Sequence, residues 1–228
     1  LEIMANRKVK VSVKIKRYFR RSGKQIIFLI LALVVIVILA GYFLSGKSGY
    51  LPFLSKRNDS ESVQKPELDV ELLTINDYSR PGIALDKING IVIHYTANPG
   101  STAKQNRDYF EGLKDSRTTK ASSHFVIGLD GEIIQCIPSS EISYASNDRN
   151  YDTLSVECCH PDESGRFNTK TYNSLVHLTA WLCVKFNVKT ENVIRHYDIT
   201  GKLCPKYYVE NQDEWDKFIE DVNRYINK

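Results

Sequence analysis

The sequence lacks pairs of cysteines two to four residues apart, the usual ligands of closed structural zinc sites. Of its five cysteines, Cys158 and Cys159 are immediate neighbours, too close together for a usual zinc finger. The sequence also has no internal repeat and no low-complexity tract that would indicate a repeat architecture. A structural zinc domain and a repeat protein are therefore not expected.

Acidic residues are almost absent from the start of the chain. Residues 1–25 contain nine Lys or Arg and a single acid, Glu2, so this segment carries a charge of +8, while the rest of the chain carries −4. We interpret residues 1–25 as a basic cytoplasmic tail. Because the part large enough to fold is mildly acidic, nucleic-acid binding is not expected.

Charged residues are absent from Ile26 to Leu44, an apolar stretch of 19 residues. At about 1.5 Å per residue this stretch just crosses a hydrocarbon core of roughly 30 Å. It is also longer than the apolar core of a signal peptide, about 7–15 residues. We predict a transmembrane helix at 26–44 in a single-pass protein of the cell membrane, with the basic flank inside and residues from about 45 outside. A cleaved signal remains the alternative, with small residues at Leu39-Ala40-Gly41.

The remaining chain divides into a flexible linker and one domain. Residues 45–72 show no sustained apolar period, whereas residues 73–228 are long enough for a single domain with a sizeable core. Strand-like and helix-like patterns alternate in this domain and predict an α/β fold: a single mixed sheet flanked by helices. A hairpin is predicted around Asp130-Gly131 and a helix over 102–114 with Ser101 as its cap. We expect the cysteines to be reduced and buried, and the protein to be a monomer.

Three candidate metal ligands follow predicted strands. His94 ends the apolar run that begins at Ile88, and His196 follows a short strand and precedes Cys204 by eight residues. A histidine at a strand end is by itself more often structural, but the loop from Asp198 to Lys202 can return a thiolate toward the second imidazole. Two imidazoles and one thiolate form the ligand set of a zinc that keeps its fourth position open for water, which points to hydrolysis.

Three ordered motifs carry a resemblance to a known family. They are the run Ile91-Val92-Ile93-His94-Tyr95-Thr96, the run Ser123-His124-Phe125-Val126-Ile127 followed by Asp130-Gly131, and His196 followed by Lys202-x-Cys204-Pro205. Together they resemble the zinc-dependent N-acetylmuramoyl-L-alanine amidases, a family that includes phage amidase lysins and peptidoglycan recognition proteins. The resemblance covers residues 85–226. It implies hydrolysis of the amide between N-acetylmuramic acid and L-alanine in peptidoglycan, and a catalytic domain that faces the cell wall.

The resemblance also implies roles for single residues. It places zinc on His94, His196 and Cys204, and it gives Lys202 the role of stabilising the oxyanion. Glu157 interrupts an apolar strand, an expensive place for a carboxylate unless it is paired or near a metal, and we predict that it is the catalytic base.

Other parts of the pattern are less specific. Some members of the family have a tyrosine where this chain has Ser123, which shifts the expected base chemistry onto Glu157. His124, Thr96 and Asn98 are predicted to contact substrate, although His124 fits a packed core position equally well. Two alternatives remain open: a peptidoglycan-binding module of the same fold without catalysis, and a zinc hydrolase that acts on soluble muropeptides.

Overall fold

The computed structural model describes residues 33–35, which are helical, and residues 63–228. The predicted basic tail, most of the predicted transmembrane helix and most of the linker lie outside these residues. Within the described ranges, no helix combines the length and the apolar composition needed to cross a bilayer. The transmembrane segment therefore stays a prediction, and the description below concerns residues 63–228.

A mixed six-stranded sheet forms the centre of the domain, in the order β1-β4-β3-β5-β2-β6. The hairpin pair β3 and β4 is antiparallel, and the other neighbouring pairs are parallel. The strands are β1 (Asp69–Val70), β2 (Gly90–Tyr95), β3 (Phe125–Ile127), β4 (Ile133–Gln135), β5 (Thr153–Cys158) and β6 (Val193–Arg195). The mixed sheet and the hairpin are thus confirmed.

Three longer helices cover the sheet, and two short ones follow β6. Helix α1 starts after Thr102, whose side chain and that of Gln105 form a reciprocal capping box, so the prediction of Ser101 as the cap is wrong by one residue. Helix α2 is capped by Asn168. The helices are α1 (Ala103–Ser116), α2 (Thr169–Phe186), α3 (His196–Thr200), α4 (Lys206–Glu210) and α5 (Gln212–Ile226).

The two faces of the sheet have different partners. Since side chains alternate along a strand, β2 and β5 send every second residue to each face. Ile91, Ile93, Leu154 and Val156 join the main core, which α2 and α5 complete. On the opposite face, Val126 of β3 and Ile134 of β4 form a smaller apolar cluster with α1. His94 and Glu157 occupy the alternate positions of β2 and β5, between the residues that face the main core. They therefore lie on the α1 face.

The folded domain begins before residue 73, where the sequence pattern placed its boundary. Asp69 and Val70 pair in parallel with Ile134 and Gln135, and so form an edge strand. Further upstream, the carbonyl of Gln64 lies 2.9 Å from Nε2 of His177 on α2. A two-residue strand has no detectable period, and for this reason the linker prediction for residues 45–72 extended too far. The cysteine prediction is confirmed: all five are buried and free.

Candidate metal centre and catalytic cleft

Three candidate site residues lie at the carboxyl ends of adjacent parallel strands. His94 is the penultimate residue of β2, Glu157 is the penultimate residue of β5, and His196 directly follows β6. His94 and Glu157 are register partners, so their side chains leave the same face of the sheet. The carboxyl edge of parallel strands is where open α/β sheets bind ligands. The topology thus assembles residues that are a hundred positions apart in sequence.

Local bonds hold His196 and Cys204 in place. Arg195 precedes His196 and pairs with Asp198 at 2.8 Å, while its backbone N–H donates to the same carboxylate. The backbone N–H of Tyr197, in α3, donates to the carbonyl of Cys204 beyond the helix. Gly201 turns the chain with φ +74°, in the left-handed region that favours glycine. The loop therefore returns the Cys204 thiol to the histidines, as the sequence predicted.

The three donors form a compact buried cluster. Nδ1 of His94 lies 3.8 Å from Sγ of Cys204, and the rings of His94 and His196 are 4.7 Å apart between centroids. One donor atom from each residue lies within 4.8 Å of those of the other two. Nitrogen and sulfur ligands of one zinc ion, at about 2.0–2.3 Å from the metal, are themselves roughly 3–4 Å apart. The donor atoms lie within 4.8 Å of one another, somewhat wider than in a metal-bound set, so these three residues are candidates to hold one metal ion.

Each imidazole also has a polar partner outside the cluster. Nε2 of His94 lies 3.3 Å from Oγ of Ser146, and Nε2 of His196 lies 3.0 Å from Oδ1 of Asn147. Nδ1 of His196 makes no hydrogen bond with any residue of 63–228. Partners on the second ring nitrogen are typical of metal-ligating histidines, because they fix the tautomer and the orientation of the ring.

The ionisation of the cluster suits a cation. Burial lowers the pKa of His94 well below its usual value, helped by His196 and Lys202, and burial and Lys202 lower the pKa of His196. Both rings are therefore neutral, the form that binds metals. Burial raises the pKa of the Cys204 thiol to about 12. A divalent cation would favour the thiolate, so the donor set fits zinc.

Glu157 lies beside this cluster in the same cleft. Its Oε2 is inaccessible to solvent and has no hydrogen-bond partner within the described part of the chain, although the side chain as a whole is half-buried and lines the cleft. Burial raises the pKa of Glu157 to about 8, and Lys202 acts in the opposite direction. A carboxylate with a pKa near neutrality is suited to accept and return a proton.

A cleft of about 370 Å³ opens over these groups. The predicted residues that line it are His94, Glu157, His196, Lys202 and Cys204. Thr96 and Asn98 do not line this cavity, and their predicted contact with substrate stays a prediction. Another, larger cavity of about 610 Å³ lies between the start of α2 and α5 and contains none of the predicted site residues.

The prediction that His124 contacts substrate is wrong. The residue is fully buried, and both ring nitrogens are occupied. Nδ1 accepts from the backbone N–H of Ser155 at 3.0 Å, so Nε2 carries the proton and donates to the carbonyl of Glu141 at 2.8 Å. Burial lowers the pKa of His124 to about 4. A neutral histidine bonded in this way joins the sheet to the segment that leads to Ser146.

Sequence reasoning missed the loop that contacts the ligands. Ser146 and Asn147 have no motif of their own, yet they contact the two imidazoles. Asn147 adopts φ +51°, a conformation in which asparagine is enriched. A weak signal was available in the run Ser143 to Asn150, which is rich in turn-forming residues between two strands. It predicts a loop but does not say which site the loop reaches.

The fold and the site together define a mixed α/β domain with a candidate three-donor metal centre in a cleft at the carboxyl edge of its sheet. The family model for N-acetylmuramoyl-L-alanine amidase matches residues 84–207, which is more than half of the chain. The chain therefore belongs to this family, and the resemblance seen in its motifs is confirmed.

Individual relatives agree with this assignment. N-acetylmuramoyl-L-alanine amidase CwlL of Bacillus licheniformis is 34% identical over 165 residues, which are 67% of this chain and 45% of CwlL. N-acetylmuramoyl-L-alanine amidase BlyA of Bacillus subtilis (strain 168) is 32% identical over 173 residues, 67% of this chain and 45% of BlyA. The solved catalytic domain of XlyA, an amidase of Bacillus subtilis (strain 168), has a TM-score of 0.59 and 26% identity, and the match covers 69% of this chain and 99% of that domain.

The match to the curated relatives is partial on both sides. This chain spans a little under half the length of CwlL and BlyA, while it covers the XlyA catalytic domain almost completely. The shared part is therefore the domain that carries the candidate metal centre.

Proposed function

We propose that this protein is a peptidoglycan hydrolase that cleaves the amide between N-acetylmuramic acid and the L-alanine of the stem peptide. The observation that carries the proposal is the convergence of His94, His196, Cys204 and Glu157 in one cleft. The names of its relatives support the choice of substrate, since CwlL, BlyA and XlyA are all N-acetylmuramoyl-L-alanine amidases.

The proposed metal is zinc, held by His94, His196 and Cys204. When bound, zinc would supply a Lewis acid that polarises the scissile carbonyl and makes a water molecule more acidic. Glu157 takes a proton from the attacking water and delivers it to the leaving amine of L-alanine. Lys202 lines the same cleft and is the cation that lowers the pKa of Glu157, so its charge is available to the oxyanion that develops on the carbonyl.

The proposed location is the outer side of the cell membrane. Residues 26–44 would form a single transmembrane helix, the basic residues 1–25 would stay in the cytoplasm, and the domain would face the wall. The support for this arrangement is the uncharged apolar stretch and the positive flank in the sequence. Membrane fractionation, followed by protease treatment of intact protoplasts, tests it: the domain should be degraded from outside while an epitope at the N-terminus survives.

The function is tested with the full chain and purified cell wall. Incubation with zinc should release new L-alanine amino termini, with no new reducing sugar ends. Removal of metal with a chelator should abolish release, and added zinc should restore it. Wall that is bound but never cleaved by the zinc-loaded protein would favour the binding module instead.

The ligand set has a matched pair of variants. Cys204→Ser should lower the affinity for zinc, because a hydroxyl is a far weaker zinc ligand than a thiolate. Cys183→Ser removes another buried thiol, in the core on the α2 side, and should leave zinc affinity unchanged. Tight stoichiometric zinc in the Cys204→Ser protein would show that the third ligand is a different residue.

A further inference from the structure

One wall of the catalytic cleft carries a cation that the proposed reaction does not use. The charged residues that line the cleft are Glu157, Lys202 and Lys120. The ion pairs that lysines form within residues 63–228 involve neither Lys120 nor Lys202. Lys202 affects the pKa of Glu157 and His196, and Lys120 is not among the charges that do so. Lys120 is therefore a free positive charge in the cleft, separate from the reacting groups.

The position of Lys120 is defined by its neighbours. Its Nζ lies 5.1 Å from the centre of the Tyr144 ring, within the range of a cation–π contact. The backbone N–H of Ser122 donates to the carbonyl of Tyr144, and the N–H of Tyr144 donates to Oγ of Ser122. On the other side, the N–H of Ala121 donates to the carbonyl of Tyr78. These bonds hold the segment beside Lys120 against the loop that carries Tyr144, so the ammonium group is placed at the cleft.

Asn150 adds a second donor to the same wall. Its Oδ1 accepts hydrogen bonds from the backbone N–H groups of Ala145 and Ser146 at 3.0 and 2.6 Å. These bonds assign the orientation of the carboxamide, because the oxygen must face the two N–H groups. Nδ2 makes no hydrogen bond with any residue of 63–228, and Asn150 lines the cleft. The wall thus offers an ammonium group and an amide N–H₂, neither of which donates a hydrogen bond to a residue of 63–228.

We propose that Lys120 and Asn150 form a subsite for a free carboxylate of the stem peptide, next to the scissile amide. A carboxylate accepts hydrogen bonds at both oxygens, and its negative charge is opposite to the positive charge of Lys120. A carboxamide is neutral and brings donors of its own. In a muramoyl peptide, the free carboxylate nearest to the scissile amide is the α-carboxyl group of the second residue, a glutamate. The subsite would therefore select stems in which this group is free over stems in which it is amidated. This inference rests on the proposed function, since it assumes that a muramoyl peptide occupies the cleft.

The test compares two soluble muramoyl tripeptides that differ only in carboxylate or carboxamide at the second residue. Binding is measured by calorimetry with the zinc-loaded full chain in the Glu157→Gln background, which slows cleavage of the ligand. With Lys120 present, we expect the carboxylate ligand to bind about tenfold more tightly, the effect of one charge-assisted hydrogen bond in a solvent-accessible site. Lys120→Met should bring the two affinities together, and Lys120→Arg should keep the preference.

Lys87→Met is the matched control. Lys87 is exposed, precedes β2 and so lies at the opposite end of the strand from His94, and its loss should leave the preference unchanged. Equal affinities for the two ligands when Lys120 is present, undetectable binding of both, or a preference that survives in Lys120→Met would each overturn the inference. Release of L-alanine amino termini from wall by the unmutated chain reports separately on the proposed function, so the two can fail independently.

Discussion

On the face of the sheet covered by α2 and α5, strands β2 and β5 present only apolar side chains, whereas on the α1 face the same strands present Val92, His94, Ser155 and Glu157. One face therefore gains free energy from apolar burial, and the other holds buried polar groups whose desolvation must be offset by hydrogen bonds or a metal. Apolar packing on one face of these strands therefore stabilises the fold, while the polar residues of the candidate site lie on the opposite face. Substitutions on the two faces should consequently have separable effects.

The largest difference between the effect on activity and the effect on stability is expected at Glu157. Glu157→Gln should lower kcat at least about a hundredfold, the usual contribution of a general base, because the carboxamide cannot accept the proton. Zinc content and the free energy of unfolding should change little, since the substitution preserves the shape of the side chain. Release of amino groups from wall, metal analysis and denaturant titration measure the three quantities.

Glu220→Gln is the matched control, an exposed glutamate on α5 whose loss should change none of the three quantities. Near-normal turnover in Glu157→Gln would remove this residue from the mechanism and leave the α1 face without its proposed base.

The apolar cores of the two faces can be compared through two buried leucines. Leu178 on α2 is 0% exposed in the main core, and Leu113 on α1 is 1% exposed in the smaller cluster. Leu178→Ala should cost about 3–5 kcal/mol and Leu113→Ala about 2–3 kcal/mol, because a site near the end of a helix can relax around the lost side chain. Urea denaturation followed by circular dichroism measures both. An equal or larger cost at Leu113 would contradict the proposed difference between the faces.

Low pH should destabilise the packing on the α1 face more than the packing on the face covered by α2 and α5. Burial acts to raise the pKa of Glu111 on α1, but hydrogen bonds from Lys114 and from the hydroxyl and backbone N–H of Thr74 outweigh it and lower the pKa from 4.5 to about 2. A depressed carboxyl pKa stabilises the fold above pH about 4.5, and this contribution is lost as the pH falls toward 2. The lowered pKa of Glu111 corresponds to at most about 3 kcal/mol in the free energy of unfolding.

Glu111→Gln should therefore lower stability at pH 7 and flatten its dependence on pH between 4.5 and 2. Thermal unfolding at a series of pH values measures this, with Glu220→Gln as the exposed control. An unchanged acid dependence in Glu111→Gln would show that other carboxylates dominate the acid response.

The smallest effects concern the helix caps. Thr102→Ala and Asn168→Ala should each cost about 1 kcal/mol, because each removes the side-chain acceptor at the start of its helix. Asn168→Ala should cost more of the two, since Nδ2 of Asn168 also donates to the carbonyl of Leu129 at 2.8 Å. Denaturant midpoints order the two variants. A larger cost for Thr102→Ala would show that the bond to Leu129 contributes nothing measurable.

The strands and helices of the domain were predictable because their periodicity is local. The apolar run before His94, the Asp130-Gly131 turn and the helical pattern over 102–114 each report a nearby conformation. The edge strand at Asp69 was not predictable, because two residues pair only by virtue of an existing neighbour, β4. The cap of α1 was missed by one residue, since serine and threonine are both favoured at N-cap positions and stand next to each other here.

The amino-acid sequence by itself determined the family, the three candidate metal ligands and the candidate base, because these rest on residue types in a fixed order. Only the tertiary structure decided that His124 is a buried, hydrogen-bonded residue and not a substrate contact. It also decided that Ser146 and Asn147 contact the two imidazoles and that Lys120 lines the cleft. The physical reason is distance along the chain. The residues that hydrogen-bond to one another or line the cleft together are tens of positions apart in the sequence. The order of the strands in the sheet decides which of them become neighbours.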